Sequence, residues 1–506
     1  MNLSMIFYVL SWVLCFSGVF LTVPVITAAA YGEWDVFVVY LTTAIIYFAL
    51  GFICMRRKPK EKRFYARDGY MAVAFSWFLI GFLGAVPLFM SGDIQNFIDA
   101  LFESVSGFTT TGATILDDVE SISRAGSLWR CFTHWVGGMG ILVFAMAVFS
   151  IAGGSGIYLM RAESTGATVE KLVPKIRESA GLLYGIYTGL TVFETVLLIF
   201  GGMSFYEAIT TAFSTAGTGG FSTLNSSIAG YSPFVQYVVA IFMALFGLNF
   251  NVYFCILLRK FRRALGLEEC HWYVFIMAIA TIIVWYDNIS SFPTIEEAFR
   301  HSFFQVSSIM TTTGSLSVYT LADWGWLAKG VLVILMFIGA CGGSTGGGIK
   351  ISRLLILGKY CKQKVISLLH PKLVSRFKVN GSDVSRETVH GVLLYLIGYI
   401  FIFSISAFVV LLFERCDLIT VFTCTASAIN NVGPAFSLDG YVSSFSDFSA
   451  ITKLVFVFDM IAGRLEIIPV LVMVSYLGGS VSKPFRFIYR KALLRHDEDE
   501  DKESTT

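Results

Sequence analysis

Four short polar stretches hold the residues best suited to chemistry: Thr109-Thr110-Thr111-Gly112-Ala113-Thr114, Ser214-Thr215-Ala216-Gly217-Thr218, Thr311-Thr312-Thr313-Gly314-Ser315 and Asn430-Asn431-Val432-Gly433-Pro434. They recur at intervals of roughly 100 residues, the mark of an internal repeat. A glycine in such a turn tolerates φ > 0, which lets consecutive carbonyls aim the same way. Four such turns around one axis would replace a cation's hydration shell with backbone carbonyls and threonine hydroxyls. None contains Asp or Glu, so the carboxylate ring of a divalent-cation filter is missing; none contains Lys or Arg, which argues against anions. The chemistry is coordination of a dehydrated monovalent cation. Its candidate ligands are Thr110, Thr111 and Gly112; Thr215, Ala216 and Gly217; Thr312, Thr313 and Gly314; and Asn431, Val432 and Gly433. A single Thr-Thr-Gly is most simply a small-residue contact between helices. Four copies outweigh that reading.

The elements that must position these turns follow from hydropathy. The 506 residues are 56% hydrophobic and only 14% charged, and several apolar runs are long enough to span a bilayer. Ahead of each turn, however, lie only about a dozen mostly apolar residues, where a crossing needs ~20. The expected unit is helix, half-length re-entrant helix, polar turn, helix. The half-helices fall at 95–108, 204–214, 295–310 and 417–429, with their carbonyl ends, each about half a negative charge, aimed at the turns. The fold class is all-α integral membrane: an accessory N-terminal helix hairpin at 1–67 and four repeats at 68–178, 179–264, 265–388 and 389–482 around a pseudo-fourfold pore. A tail follows at 483–506. The second helices are expected at about 127–152, 233–258, 325–355 and 450–478.

Charge orients the layout. Of the 37 Lys and Arg residues, 30 fall in 56–67, 161–177, 259–263, 350–386 and 483–502, all opposite the glycine turns. The positive-inside rule then gives ten crossings, both termini in the cytoplasm and every turn outside. The nine cysteines are scattered and form no Cys-x-x-Cys, so neither a disulfide framework nor a zinc site is indicated. The histidines show no paired metal spacing, and no organic cofactor or nucleic acid is implied. The N-terminal apolar run has no basic segment before it and reads as a retained helix.

The second helix of the third repeat contains Gly339-Ala340-Cys341-Gly342-Gly343-Ser344-Thr345-Gly346-Gly347-Gly348-Ile349-Lys350. Each glycine costs a helix about 1 kcal/mol relative to alanine, so a loop inside the membrane is expected. Irregular backbone at that depth belongs beside a permeation path, and Gly339, Gly342, Gly343, Gly346, Gly347 and Gly348 become candidate gate residues. A phosphate-binding loop is excluded by Ile351 after Lys350 and by the absence of a preceding strand. The helix at 450–478 carries Lys453, Asp459, Arg464 and Glu466 inside an apolar run. Such charges are costly in a bilayer. Arg464 either reaches the pore and gate or pairs with Asp459 or Glu466. The basic stretch 350–388 is either a docking face for an acidic regulator or ordinary topogenic charge.

The sets Ser106-Gly107-Phe108-Thr109-Thr110-Thr111-Gly112-Ala113-Thr114, Ser214-Thr215-Ala216-Gly217-Thr218-Gly219-Gly220-Phe221, Ser308-Ile309-Met310-Thr311-Thr312-Thr313-Gly314 and Ala428-Ile429-Asn430-Asn431-Val432-Gly433-Pro434 resemble the four pore loops of the Trk/Ktr/HKT potassium transporters. The resemblance covers nearly the whole chain and is nearest the Trk branch, which keeps the extra N-terminal hairpin. It implies potassium selectivity with glycine in all four loops, Gly112, Gly217, Gly314 and Gly433. It also implies a gating loop after Gly339, a pore-facing Arg464 in Ala462-Gly463-Arg464-Leu465-Glu466, a homodimer in the bacterial inner membrane, and a cytosolic nucleotide-binding regulatory subunit of the TrkA type. Potassium is the expected transported ion; passive conduction and proton-coupled symport both stay open. The rivals are a sodium-coupled or sodium-permeable relative, which serine at position 112 would mark, and a polytopic membrane enzyme, for which no nucleophile, metal pair or converging acids are visible.

Overall fold

Each half-length segment starts where a polar side chain caps it. In the computed structural model, Asn96 accepts from the Ile98 amide ahead of Phe97–Phe108, and Ser204 and Glu207 form a reciprocal capping box at Phe205–Gly217. Thr294 caps Ile295–Met310 and Asp417 caps Leu418–Asn430. These caps satisfy amide donors that have no partner inside the helix. With 12, 13, 16 and 13 residues at about 1.5 Å per residue, none crosses a hydrocarbon core of about 30 Å. The chain must turn back at depth, and it does so four times. The structure describes residues 2–57, 66–138, 140, 176–319, 321–322, 324–370, 377–437, 440–442 and 444–477.

Six helices are long and apolar enough to cross a membrane: Leu3–Tyr31, Trp34–Met55, Arg67–Met90, Gly181–Phe200, Glu268–Ser291 and Arg386–Phe413. They are the accessory hairpin and the first helix of each repeat. The second helices expected at about 233–258 and 450–478 are each interrupted. In the second repeat, Pro233–Phe246 and Phe250–Leu257 meet at 89° across Gly247-Leu248-Asn249, where Asn249 accepts from the Asn251 amide and restarts the helix. In the fourth, Ala450–Arg464 is separated from Ile468–Leu477 by a break at which Glu466 and Ile467 take positive φ, 60° and 66°. In the third, Trp326–Ile338 and Ile351–Leu369 flank the glycine-rich loop, as expected. The first repeat's second helix is described over Arg124–Gly138; its expected continuation to 152, part of the basic 161–177 segment and the tail lie outside the described residues.

Segments that follow the turns join the first repeat to the second, the second to the third and the fourth to the first. The Val119 amide donates to Asn225 Oδ1 (2.9 Å), Ile228 N to Leu316 O (3.0 Å) and Phe445 N to Thr114 O (2.8 Å). The largest apolar cluster runs from the hairpin (Met5, Tyr47) through the first repeat (Phe102) to the fourth (Phe456, Met473). First and last repeats are thus neighbours, which closes the arrangement.

The hairpin is more than an appendage. Glu33, in its turn, accepts from the amides of Arg124 (2.8 Å) and Ala125 (3.1 Å) at the start of the first repeat's second helix, where a carboxylate also favours the helix dipole. Tyr47 donates to Leu83 O at 2.9 Å. The two hairpin helices approach through glycine, since a β-carbon at Gly51 would lie 2.6 Å from Cys15 Sγ and 2.7 Å from its amide nitrogen. Gly51→Leu is therefore expected to destabilise the protein by about 1–3 kcal/mol, read as a lower thermal unfolding midpoint in detergent. An unchanged midpoint would contradict this packing.

Candidate ion pathway

The four turns share one backbone pattern. Left-handed φ values occur in pairs two residues apart: Thr110 (54°) with Gly112 (80°), Thr218 (53°) with Gly220 (79°), Thr312 (60°) with Gly314 (77°), and Asn431 (57°) with Gly433 (97°). The residue between each pair donates its amide to a serine carbonyl five positions earlier. These bonds are Thr111 N to Ser106 O (2.9 Å), Gly219 N to Ser214 O (2.9 Å), Thr313 N to Ser308 O (2.7 Å) and Val432 N to Ser427 O (3.0 Å). The three-residue units in matching positions are therefore Thr110-Thr111-Gly112, Thr218-Gly219-Gly220, Thr312-Thr313-Gly314 and Asn431-Val432-Gly433.

This corrects the second turn. Thr215, Ala216 and Gly217, expected as its ligands, form the last turn of the half-length helix Phe205–Gly217. Gly217 is there for close packing: a β-carbon on it would meet His134 O at 2.2 Å. The glycine of the ring is Gly220, three residues later. The signal that could have fixed the register is the serine six residues ahead of each ring glycine, at Ser106, Ser214, Ser308 and Ser427.

The units interlock. A β-carbon at Gly112 would lie 1.8 Å from Gly219 O, one at Gly220 1.9 Å from Thr313 O, one at Gly314 2.2 Å from Val432 O, and one at Gly433 2.6 Å from Thr111 O. Each ring glycine thus abuts the carbonyl of the residue before the next ring glycine, and the fourth returns to the first. Any side chain would push the neighbouring carbonyl aside. The structure brings Thr110, Thr111, Gly112, Thr312, Thr313, Gly314, Asn431, Val432 and Gly433 into this ring, without Thr215, Ala216 or Gly217.

A buried polar scaffold stands behind the ring. Arg130 Nε lies 2.6 Å from Glu103 Oε1, with side-chain exposures of 1% and 0%. Glu103 also accepts from Thr114 Oγ1 and Ile115 N, both at 2.9 Å, so the carboxylate holds the chain leaving the first turn. His134 Nδ1 lies 2.8 Å from Gly107 O, and Phe221 N donates to His134 Nε2 at 3.2 Å. The network therefore assigns the proton to Nδ1, and the ring joins the first half-length helix to the second turn. Asn431 Nδ2 donates to Thr111 Oγ1 (3.0 Å) and Met460 O (2.9 Å), which ties the fourth turn to the first. The sequence reading missed Glu103 and Arg130, although an ionisable pair within apolar segments was the available signal.

The glycine-rich loop packs directly under the ring. Gly347 N donates to Thr312 Oγ1 (2.7 Å) and Gly348 N to Asn430 O (3.1 Å). Gly339, Gly343 and Gly348 have φ near +70°, at 70°, 70° and 77°. Arg464 donates to Thr345 O in this loop (2.7 Å) and to Gly137 O in the first repeat (2.9 Å). The alternative partners considered for Arg464 are engaged elsewhere: Asp459 accepts from Ser406 Oγ (2.7 Å), and Glu466 pairs with Arg353. Among the described residues, no three His, Cys, Asp or Glu side chains gather as a metal site.

Comparison with known proteins agrees with this geometry. The family model for TrkH, a cation transport protein, matches residues 35–481. The Trk system potassium uptake protein TrkH of Salmonella typhimurium is 32% identical over 450 residues, 86% of this chain and 90% of that protein. TrkG of Escherichia coli K12, also named a Trk system potassium uptake protein, is 33% identical over 460 residues, 89% and 93% of the two chains. The crystal structure of the potassium transporter TrkH from Vibrio parahaemolyticus superposes with a TM-score of 0.84 at 28% identity, covering 96% of this chain and all of that one. A chain with four interlocked turns, matched over nearly its whole length, belongs to the TrkH family of cation transport proteins.

Proposed function

We propose that the chain takes up potassium through the ring formed by Thr110-Thr111-Gly112, Thr218-Gly219-Gly220, Thr312-Thr313-Gly314 and Asn431-Val432-Gly433, and that the loop 339–350 gates it. The observation that carries this reading is the cyclic contact of the four ring glycines with their neighbours' carbonyls. A ring so closed supplies uncharged backbone oxygens at one depth, which suits a monovalent cation stripped of water. The four half-length helices end at the ring, and their carbonyl termini add partial negative charge without the tight grip of a carboxylate. Glycine at all four positions, with Gly220 in place of Gly217, favours potassium over the sodium-permeable alternative.

The gate reading rests on position. The loop lies against two of the four turns, and Arg464 holds it through Thr345 O. Closing the path below the filter needs only that Gly347 and Gly348 remain where they are; opening needs their backbone to leave Thr312 and Asn430. The four repeats carry the boundaries given by sequence, with both termini in the cytoplasm of a bacterial cell. The assembly is a homodimer that binds a TrkA-type nucleotide-binding subunit at the cytoplasmic face.

Rubidium uptake into proteoliposomes, competed by potassium or sodium, tests both parts. Gly220→Ser should relax potassium-over-sodium preference by about tenfold, corresponding to ~1.4 kcal/mol. Gly217→Ser should lower the yield of folded protein while the folded fraction keeps its preference; the reverse outcome would return the register to Gly217. Gly347→Ala, whose β-carbon would meet Asn430 O at 2.4 Å, and Arg464→Gln should each change uptake rate with ion preference intact. A shifted potassium-to-sodium ratio in these two would contradict a gate separate from the filter.

A further inference from the structure

Glu269 lies in the first turn of the helix Glu268–Asn288, 2% exposed and far in sequence from the loop it touches. Its Oε1 accepts from Gly342 N at 2.5 Å and from Ser352 N at 3.1 Å. Those amides bracket the glycine-rich loop: Gly342 stands just inside its entry and Ser352 just beyond its exit. Oε2 faces Asn249 Nδ2 at 3.4 Å, and Asn249 is the residue that restarts the broken helix of the second repeat. One carboxylate therefore joins the loop's two ends to the second repeat.

The backbone of the same residue points the other way. Glu269 N donates to Asn380 Oδ1 at 3.2 Å. Asn380 sits at the turn of a small antiparallel hairpin, Lys378–Val379 with Ser382–Asp383, in a left-handed conformation of φ 51°. Next to it, Lys359 Nζ reaches Glu268 Oε2 (2.5 Å) and Lys378 O (2.7 Å). A continuous run of hydrogen bonds thus leads from the hairpin, through Glu269, to both ends of the loop, and from the loop to Thr312 and Asn430 of the filter.

We propose that Glu269 is a positioning residue for the intramembrane loop, and that the 378–383 hairpin is the element whose movement, passed through Asn380 and Glu269, shifts that loop. The proposal rests on the gate reading above. Its physical logic is that a glycine-rich segment cannot hold its own shape, so a buried carboxyl oxygen accepting from two of its amides sets where it rests. Removing the acceptor leaves two buried amides unpaired. Asn380 is the coupling point because its side chain takes an amide at the start of Glu269's helix, one of those with no helical partner.

Hydrogen exchange of the intact protein in lipid nanodiscs, followed by mass spectrometry of peptides covering 340–352, tests the positioning role without reference to transport. Glu269→Ala should speed exchange there by about tenfold or more, and Glu269→Gln, which keeps one carbonyl acceptor, should restore most of the protection. Asn380→Gly, which preserves the left-handed turn and removes only the side chain, should give a smaller increase in the same peptides. Unchanged exchange in Glu269→Ala overturns the positioning role, and unchanged exchange in Asn380→Gly overturns the hairpin's part. Rubidium uptake by the same proteins supplies the second readout, with altered rate and unaltered ion preference expected for Glu269→Ala and recovery in Glu269→Gln. If uptake is insensitive to Glu269→Ala but responds to Gly347→Ala, the positioning role of Glu269 is refuted and the gate stands. If neither substitution alters uptake, the gate reading itself fails.

Discussion

Everything in this structure depends on one constraint: four stretches of non-helical backbone lie at membrane depth, where each unpaired amide or carbonyl costs free energy that water cannot repay. The turns meet it jointly. Each folds back on its own helix through an amide-to-serine carbonyl bond, and each presses a glycine against the next turn's carbonyl. In the function proposed above, the carbonyls left over from that arrangement solvate a cation. The fold and the chemistry are therefore the same solution to a hydrogen-bonding problem.

The scaffold behind the ring explains why so polar a centre stays fixed. A single hydrogen bond contributes about 1 kcal/mol, but Glu103, paired with Arg130, and His134 are buried and together hold backbone groups of Ile115, Gly107 and Phe221. Buried ion pairs are poor stabilisers compared with apolar packing, and their best-supported use is to specify one arrangement. Here that arrangement is the position of the first turn against the second. Beneath the ring the fourfold likeness ends. Breaks in the second helices at 247–249, 339–350 and 465–467 converge on one side, and only the third is rich in glycine. Pseudo-symmetry shapes the four turns, and its loss shapes the glycine-rich loop packed against two of them.

Much of this was legible in the sequence because the governing signals are local. Half-length apolar segments, polar turns with glycine, and a glycine-rich interruption each follow from what a bilayer allows, and the structure has helices at 97–108, 205–217, 295–310 and 418–430. The register of the second turn was not legible from glycine alone, because that segment offers Gly217, Gly219 and Gly220, and only contact with His134 decides that Gly217 stays helical. The breaks at 247–249 and 465–467 escaped hydropathy because their residues are no more polar than those of a helix; Asn249 and Glu466 act there through partners distant in sequence, Glu269 and Arg353. Glu103, Arg130 and Glu269 were passed over for the same reason. A buried charge is recognisable in a sequence, but its partner belongs to the fold.

In the proposed function, the ion loses its water on the axis enclosed by Thr110-Thr111-Gly112, Thr218-Gly219-Gly220, Thr312-Thr313-Gly314 and Asn431-Val432-Gly433. The most direct measurement is anomalous diffraction from crystals of the protein grown in thallium or rubidium, which mimic potassium and scatter strongly. The account predicts anomalous peaks on that axis, within coordination distance of backbone oxygens from all four turns, and their loss when sodium replaces the heavier ion. Peaks elsewhere in the protein, with none between the four turns, would contradict it.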